Sequence, residues 1–274
     1  MTDLSTENIV RKADDQPTIK SHDWKVGLTG VFIKKSNENR RWSCLRGHVI
    51  TIEGLIGAGK STLGRSLVQY LTNIGLDAKF YSEFVHLPLL EQYISNMSKY
   101  GYSFQIIMVR ERLRIYRVAM EAADRGEISI IDRCMLGDVA FARMLHQQKI
   151  LSDDEWSTYL SLIKKDEIIE PSLTVYLDCS AKEAFNRMLS RSNQAEVTGY
   201  SLEYFEHLEK SYQEIISAIN PPLIKVDWEI PRQTKMNLDI ATMNGSLHNN
   251  KSSLHDDDCR SVLSEIRDYL INPV

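Results

Sequence analysis

A glycine-rich segment followed by lysine and serine contains the residues whose types and spacing most directly indicate chemistry. Residues 54–61 read GLIGAGKS and match the pattern GxxxxGK[ST] in full. The glycines of that pattern let backbone N–H groups face a phosphate at a helix N-terminus, where the helix dipole favours anions. The lysine reaches the β- and γ-phosphates, and the serine hydroxyl is a ligand for Mg²⁺. The segment therefore predicts a site for ATP or another nucleoside triphosphate with Mg²⁺. The residues expected around the phosphates are Gly54, Gly57, Ala58, Gly59, Lys60, Ser61 and Thr62.

Ionisable residues near the ends of predicted strands narrow the type of reaction. GTPases, motor ATPases and small-molecule kinases share the glycine loop, so the loop alone does not identify one of them. The sequence has neither an NKxD-type base reader nor an apolar strand ending in Asp-Glu. Instead, Glu83 follows the second predicted strand, Asp132 and Arg133 end the third, and Arg187 and Arg191 follow the fourth. Because α/β sheets bind ligands at the carboxyl ends of their strands, these residues predict one shared site.

The segments that carry these residues alternate between strand and helix patterns. Short β-rich runs read HVITIEG, AKFYS, ISIID, LTVYLD and LIKVD. Helical patterns lie between them, including residues 61–73 and the long amphipathic stretch 104–126. This alternation predicts an α/β fold with a parallel sheet and helices on both faces.

Composition excludes several other classes of protein. The chain has 274 residues, 33 Lys+Arg against 37 Asp+Glu, and a formal net charge of −4. This balance argues against a protein that binds nucleic acid mainly by phosphate neutralisation, and no apolar run has the length of a membrane span. Four cysteines without paired spacing indicate a reducing compartment. We expect a cytoplasmic protein; a nuclear or mitochondrial location has no support in the sequence.

Polar segments divide the chain into a core and two additions. We predict an N-terminal extension over residues 1–46, partly disordered, and a catalytic domain over residues 47–274. Within that domain, residues 232–257 are rich in Asn, Ser, Lys and Asp and predict a disordered insertion. The amphipathic segment 258–274 predicts a C-terminal helix.

Five sequence segments share their order and spacing with the motifs of one known family. They read IEGLIGAGKST, YSEFV, SFQIIMVRERLR, IDRCMLGDVAFARML and NRMLSRSNQAE. Together they resemble the deoxynucleoside kinases, and more closely the branch of deoxycytidine, deoxyguanosine and deoxyadenosine kinases. The resemblance runs from about His48 to Trp228. It implies a P-loop kinase fold, with three α/β/α layers around a central parallel sheet of about five strands, and a homodimer.

The resemblance implies roles at the transferring phosphate. Glu83 would be the general base for the nucleoside 5′-hydroxyl, and Asp132 would join Ser61 in holding Mg²⁺. The charges that hold the phosphate oxygens would come from Lys60, Arg133, Arg187 and Arg191.

The resemblance also implies a pocket for the nucleoside. Gln105 would pair with the base edge, since an amide both donates and accepts, and Arg112 with Asp138 would complete base recognition. Without the resemblance, Arg112 is equally typical of a solvent-facing salt bridge. Glu196 and Tyr93 would bind the 3′-hydroxyl, although the spacing from Tyr93 to Gln105 differs by one from the family pattern. The apolar walls beside the base would be formed by Phe104 and Phe141.

Several positions depart from the family pattern. Phe84 replaces the proline after the motif glutamate, and Cys134 stands where serine is usual. Leu189 and Asn193 occupy positions that carry arginine in some relatives, which predicts weaker clamping of the phosphates. One residue is inserted between Glu196 and the following glycine, which would displace the 3′-hydroxyl contact.

The combined motifs predict ATP-dependent phosphorylation of a deoxyribonucleoside 5′-hydroxyl in nucleotide salvage. The charged pair Arg112–Asp138 favours a purine or cytosine base over thymine. Two alternatives stay open on the sequence: a nucleoside monophosphate kinase of the thymidylate kinase type, and a catalytically weakened P-loop module that binds nucleotide. We expect neither nucleic acid nor a membrane as a partner.

Overall fold

Five parallel strands form one sheet at the centre of the protein. The computed structural model describes residues 47–165, 170–191, 194–218, 222–229 and 256–271. The predicted extension 1–46 and nearly all of the predicted insertion lie outside these residues. The strands, in chain order, are β1 (Val49–Gly54), β2 (Ala78–Tyr81), β3 (Ile128–Asp132), β4 (Leu173–Asp178) and β5 (Leu223–Asp227).

Nine helices are described around this sheet. The first five are α1 (Lys60–Asn73), α2 (Leu87–Ser95), α3 (Met97–Asp124), α4 (Met135–Gln147) and α5 (Asp153–Lys165). The remaining four are α6 (Ala181–Ser190), α7 (Gln194–Gly199), α8 (Leu202–Ile216) and α9 (Asp256–Ile271). Within the described ranges, no helix is both long and apolar enough to cross a membrane.

The strand order β2-β3-β1-β4-β5 places the glycine loop at a topological switch point. From β1 the chain crosses to β2, returns to β3 beside β1, and then moves to β4 on the other side of β1. Ile50 of β1 is paired with Ile130 on one side and Leu173 on the other. In open parallel sheets, ligands bind at the carboxyl ends of the strands at such a switch point.

Burial on both faces explains why β1, β3 and β4 read as nearly continuous apolar runs. All six residues of β1 are buried, including Glu53, and all five of β3 are buried, including Asp132. The predicted α/β fold with about five parallel strands is confirmed. Glu53 is an acid inside a fully buried strand, and such a group needs polar partners to offset the cost of its burial.

The long helix α3 begins seven residues before the predicted stretch 104–126. Its first turn is stabilised by the Asn96 side chain, which accepts a hydrogen bond from the backbone N–H of Lys99 at 3.0 Å. The resulting 28-residue helix carries Gln105 and Arg112 on one buried face. Helix α9 begins at Asp256, two residues before the predicted boundary, and buries Val262 and Ile266.

Candidate active site

The glycine loop between β1 and α1 has the backbone conformation that phosphate binding requires. Gly57 and Gly59 have φ angles of 83° and 102°, in the left-handed region that favours glycine. A Cβ atom at Gly57 would lie 2.3 Å from the Ala184 carbonyl oxygen, so α6 approaches the loop too closely for a side chain there. The side chain of Lys60, at the start of α1, folds back and donates to the carbonyl oxygen of Leu55 at 2.7 Å. Burial and the nearby Arg133 lower the pKa of Lys60 to about 7.

Ser61 and Asp132 provide oxygen atoms suited to Mg²⁺ beside this loop. The Ser61 hydroxyl donates to Oδ2 of Asp132. The other carboxylate oxygen, Oδ1, is buried and has no protein partner. The described residues contain no cluster of three or more His, Cys, Asp or Glu side chains that could hold a metal. A hydroxyl and a carboxylate nevertheless fit Mg²⁺, because this ion keeps several waters and takes further oxygens from substrate phosphates.

Glu83 lies between two arginines. Its Oε1 accepts from Arg112, and its Oε2 accepts from Nη1 of Arg133 at 2.9 Å. Burial alone would raise the pKa of Glu83, but Arg133, Arg112 and Lys60 outweigh it and lower this pKa to about 2. Glu83 is therefore an ionised carboxylate throughout the neutral range.

Arg133 connects Glu83 to the glycine loop. Its Nη2 donates to the Gly54 carbonyl oxygen at 3.1 Å, and its guanidinium lies 4.9 Å from the ring centroid of Phe141. The Arg133 backbone has a φ of 64°, a left-handed conformation that costs a non-glycine residue about 1–2 kcal/mol. Phe141, expected as a wall for the base, thus packs against the guanidinium of this arginine.

The three residues expected to recognise the base form one buried network. Asp138 is fully buried; its Oδ1 accepts from Nε2 of Gln105 at 2.6 Å, and its Oδ2 accepts from Nη1 of Arg112. Gln105 also donates to the backbone carbonyl of Asp138 at 3.2 Å. Arg112 is only 7% exposed and bridges Asp138 and Glu83, so the alternative of a solvent-facing salt bridge is wrong.

Two tyrosines in this region were missed by the sequence analysis. Tyr159 of α5 donates to Oδ1 of Asp138 at 2.6 Å, and Tyr212 of α8 donates to Oε2 of Glu53 at 3.2 Å. Both belong to helical segments whose apolar periodicity indicates only core packing. Glu53 itself carried a usable signal, since it is an acid within an apolar strand directly before the glycine loop.

Tyr93 and Glu196 lie in different environments. The Tyr93 ring stacks on Phe104 with centroids 4.6 Å apart, and its hydroxyl is 3.0 Å from that of Tyr204. Tyr93 is almost fully buried, so it packs in the core beside the site. Glu196 is half-buried, and its charge interacts with those of Arg191, Arg133 and Glu83. Burial raises the pKa of Glu196, while Arg191 opposes that shift.

Arg187 and Arg191, both expected to hold phosphate oxygens, differ in their contacts. Arg187 lies at the glycine loop, where it donates to the Ala58 carbonyl at 3.3 Å and to the Trp228 carbonyl at 2.9 Å, and it pairs with Glu183. Its guanidinium therefore joins the loop to the end of β5. Arg191 is exposed at the C-terminal end of α6. Asn193, one of the two positions that carry arginine in some relatives, lies outside the described residues.

Comparison with known proteins identifies the family of this chain. Residues 50–251 match the deoxynucleoside kinase family. The deoxyadenosine kinase of Dictyostelium discoideum is 30% identical over 188 residues, which cover 67% of this chain and 74% of that protein. The deoxyadenosine/deoxycytidine kinase of Bacillus subtilis (strain 168) is 28% identical over 65% of this chain and 81% of its own length.

A solved structure shows the same fold. Deoxyadenosine kinase from M. mycoides with bound dATP superposes with a TM-score of 0.59 at 26% identity, and covers 72% of this chain and 99% of that one. The family match extends over most of the chain and includes both the glycine loop and the buried network around Asp138. The chain therefore belongs to the deoxynucleoside kinase family.

Proposed function

We propose that this kinase transfers the γ-phosphoryl group of ATP to the 5′-hydroxyl of a deoxyribonucleoside with a purine or cytosine base, in nucleotide salvage. The observation that carries the proposal is the continuous buried chain of contacts from Glu83 through Arg112 and Asp138 to Gln105. These contacts join the Glu83 carboxylate near the glycine loop to the Gln105 amide, a group suited to recognising a base. A site for phosphoryl transfer and a site for base recognition are thereby coupled.

The transfer step assigns a role to each group near the loop. The 5′-oxygen attacks the γ-phosphorus, its proton passes to Glu83, and the bond to the β–γ bridging oxygen breaks to release ADP. Lys60 and Arg133 hold the phosphate oxygens as their charge develops. Mg²⁺, held by Ser61 and Asp132, would neutralise charge between the β- and γ-phosphates.

Substrate binding would also adjust the basicity of Glu83. In the structure, Arg112 donates to Oε1 of Glu83, and we expect the 5′-hydroxyl to donate to the same oxygen when substrate binds. The hydroxyl would replace Arg112 there, and the freed donor of Arg112 would turn to the base. Losing one of the neighbouring cations raises the pKa of Glu83 from its low value, which makes the carboxylate a better proton acceptor.

The orientation of Gln105 favours particular bases. Because Asp138 accepts from the Gln105 amide nitrogen, the Gln105 carbonyl oxygen is the atom left for the base, and it requires a donor. Adenine and cytosine present an amino donor next to a ring-nitrogen acceptor, which would face Arg112. Thymine and guanine each present a carbonyl oxygen beside a ring N–H, the reverse order, which the amide held by Asp138 does not match; among the purines we therefore favour adenine. Relatives named as deoxyadenosine and deoxycytidine kinases support this preference.

A substrate panel tests the proposal and its alternatives. Labelled phosphate transfer from ATP is measured on deoxyadenosine, deoxyguanosine, deoxycytidine, thymidine and dTMP. We expect product with deoxyadenosine or deoxycytidine, and loss of that preference in Asp138→Ala. Thymidine as the best substrate, or an unchanged preference in the variant, would contradict the base assignment. Phosphorylation of dTMP alone would establish a monophosphate kinase, and no transfer to any acceptor would establish a nucleotide-binding module.

The role of Glu83 has its own test. Glu83→Gln should lower kcat by roughly 10²–10⁴-fold, the usual contribution of a general base. Glu91→Gln makes the same chemical change at an exposed position of α2 and should leave kcat unchanged. Turnover of Glu83→Gln near that of the control would exclude Glu83 as the base.

The homodimer and the cytoplasmic location stay predictions.

A further inference from the structure

Glu53 is a fully buried carboxyl group that the proposed reaction does not use directly. It is the fifth residue of β1, next to the glycine loop, and its side chain has no exposed surface. Burial raises the pKa of Glu53 to about 7, against the opposing effect of backbone N–H groups and nearby arginines. Because a buried carboxyl group is costly, its contacts identify what it does for the fold.

Those contacts lie at the N-terminus of α4. Oε1 of Glu53 accepts from the backbone N–H of Cys134 at 2.8 Å, and the N–H of Gly137 also favours its charged form. Cys134 is the N-cap residue of α4, and its own side chain makes no capping hydrogen bond. Glu53 thus serves from β1 as the acceptor that a local capping side chain would normally provide.

Gly137 leaves the space that this arrangement needs. A Cβ atom at Gly137 would lie 2.4 Å from Oε2 of Glu53 and 2.6 Å from the Tyr212 hydroxyl. The first turn of α4 therefore lies directly against the carboxyl group. This close approach is a second, independent sign that β1 and α4 are joined through Glu53.

Arg133, the residue directly before the N-cap, is held on both sides by β1. Its own N–H donates to the Ile52 carbonyl oxygen at 3.0 Å, and the following N–H, that of Cys134, donates to Glu53. Between these two bonds the backbone adopts its left-handed φ of 64°. Such a conformation persists where the surrounding structure holds it in place. From this position the side chain of Arg133 reaches Glu83 and the Gly54 carbonyl oxygen.

We propose that Glu53 is a positioning residue for phosphoryl transfer, which holds Arg133 in its left-handed conformation by binding the N-terminus of α4. The inference rests on the proposed function, since it concerns the arginine that would hold the transferring phosphate. Glu53 acts through Arg133 and touches neither substrate. Its loss should affect turnover and leave nucleoside binding nearly intact.

A double-mutant cycle tests this coupling in the full-length protein. Arg133→Ala should lower kcat by about 10²–10³-fold, as removal of one transition-state donor does. Glu53→Ala should lower kcat by at least about tenfold with a nearly unchanged KM for the nucleoside, and adding it to Arg133→Ala should cost nothing more. Glu53→Gln keeps one acceptor oxygen, so it should recover part of the loss. If the two losses multiply, the inference is wrong.

Two controls separate positioning from simple destabilisation. Rates are expressed per folded molecule, with the folded fraction measured by near-UV circular dichroism. Glu127→Ala removes another partly buried carboxylate, which accepts from the Tyr81 and Ser129 hydroxyls, each at 2.7 Å, at the end of β3 opposite Asp132. It should change stability without changing kcat per folded molecule. Equal kcat values per folded molecule for Glu53→Ala and the wild type would overturn the inference. If Glu53→Ala does not fold, Glu53→Gln takes its place in the cycle.

A structural measurement is independent of activity. A crystal structure of Glu53→Ala, which has no acceptor for the Cys134 N–H, should show Arg133 outside the left-handed region or its contact with Glu83 lost. An unchanged Arg133 would refute the positioning role even if the enzyme were inactive. A wild-type protein that phosphorylates no deoxynucleoside would instead refute the proposed function.

Discussion

At the scale of single residues, Asp138 is a buried carboxylate that accepts hydrogen bonds from three side chains. It accepts from Gln105 and Tyr159 on one oxygen and from Arg112 on the other. These contacts set the direction of the Gln105 amide and the Arg112 guanidinium, the two groups that we propose read the base, and Tyr159 of α5 in turn holds the carboxylate.

We predict that Tyr159→Phe weakens base selection. Losing a hydrogen bond to a charged group costs about 1.5–3 kcal/mol, so kcat/KM for the preferred nucleoside should fall roughly tenfold or more and the preference over thymidine should shrink. Tyr269→Phe is the control, because Tyr269 of α9 makes a partly buried hydroxyl contact with the Ser172 carbonyl, just before β4 and away from the site. The measurement is kcat/KM with each nucleoside. Equal selectivity in both variants would show that Tyr159 only fills space.

The sequence identified residues at strand ends better than residues that meet across the fold. Glu83, Asp132 and Arg133 were located because they follow strands, and parallel strands end at one edge of a sheet. Tyr159 and Tyr212 were not located, because each reaches its partner through helix packing between distant parts of the chain. Tyr212 and Glu53, for example, are 159 residues apart. No local pattern records such a contact.

At the scale of elements, α6 packs directly on the glycine loop. The Ala184 carbonyl oxygen of α6 faces Gly57, and Arg187 of the same helix donates to the Ala58 carbonyl. The strands were predictable from the sequence because buried parallel strands are apolar throughout, and β3, β4 and β5 have the expected bounds. The start of α3 was not, because Asn96 caps that helix one turn or more before its apolar periodicity becomes regular.

A pair of glycine variants measures how tightly α6 and the loop are packed. Gly57 and Gly75 have similar φ angles of 83° and 86°, but a Cβ atom at Gly75 would meet nothing within 4 Å. Gly75→Ala should therefore cost only the backbone strain, about 1–2 kcal/mol of unfolding free energy. Gly57→Ala adds a clash with a backbone carbonyl and should cost about 1–3 kcal/mol more, with loss of ATP binding. Urea denaturation and nucleotide titration check this. Equal losses of unfolding free energy in the two variants would mean that α6 moves enough to accommodate the methyl group at position 57.

At the scale of the whole molecule, the net charge of −4 says little about the interior. Six ionisable side chains at the site are buried, namely Glu53, Lys60, Arg112, Asp132, Arg133 and Asp138. They lie around the carboxyl ends of β1 and β3, where strand order brings distant residues together. The free energy of unfolding must therefore depend on pH through these buried groups, which a count of charges from the composition does not distinguish from surface charges.

Glu53 gives this dependence a definite sign. Its pKa is raised in the folded protein from the ordinary 4.5 to about 7. Below pH 4.5 both states are protonated; between pH 4.5 and 7 the unfolded chain releases the proton and the folded protein retains it. The Glu53 contribution to stability must fall as pH rises through this interval, by about 3 kcal/mol in total, and stay constant above it. The titratable groups that interact with Glu53 are Arg133, Arg112, Lys60, Cys134, Tyr176 and Tyr212, of which only the arginines and Lys60 carry charge in this interval.

Comparison with Glu53→Gln isolates this contribution, because glutamine does not titrate while the other ionisable groups stay in place. We expect the unfolding free energy of the wild type, relative to Glu53→Gln, to decrease between pH 5 and 7.5, as measured by urea denaturation at each pH. Lys60 also titrates: its pKa is lowered to about 7 from 10.5, so its stability contribution increases with pH above 7. Because the Glu53 charge raises the Lys60 pKa, this increase begins at lower pH in Glu53→Gln, which changes the relative stability in the same direction. A relative stability that is flat or rises with pH would mean that Glu53 is ionised in the folded protein at pH 5. In that case, the N-terminus of α4 and Arg133 would stabilise the ionised Glu53 carboxylate over the whole interval from pH 5 to 7.5.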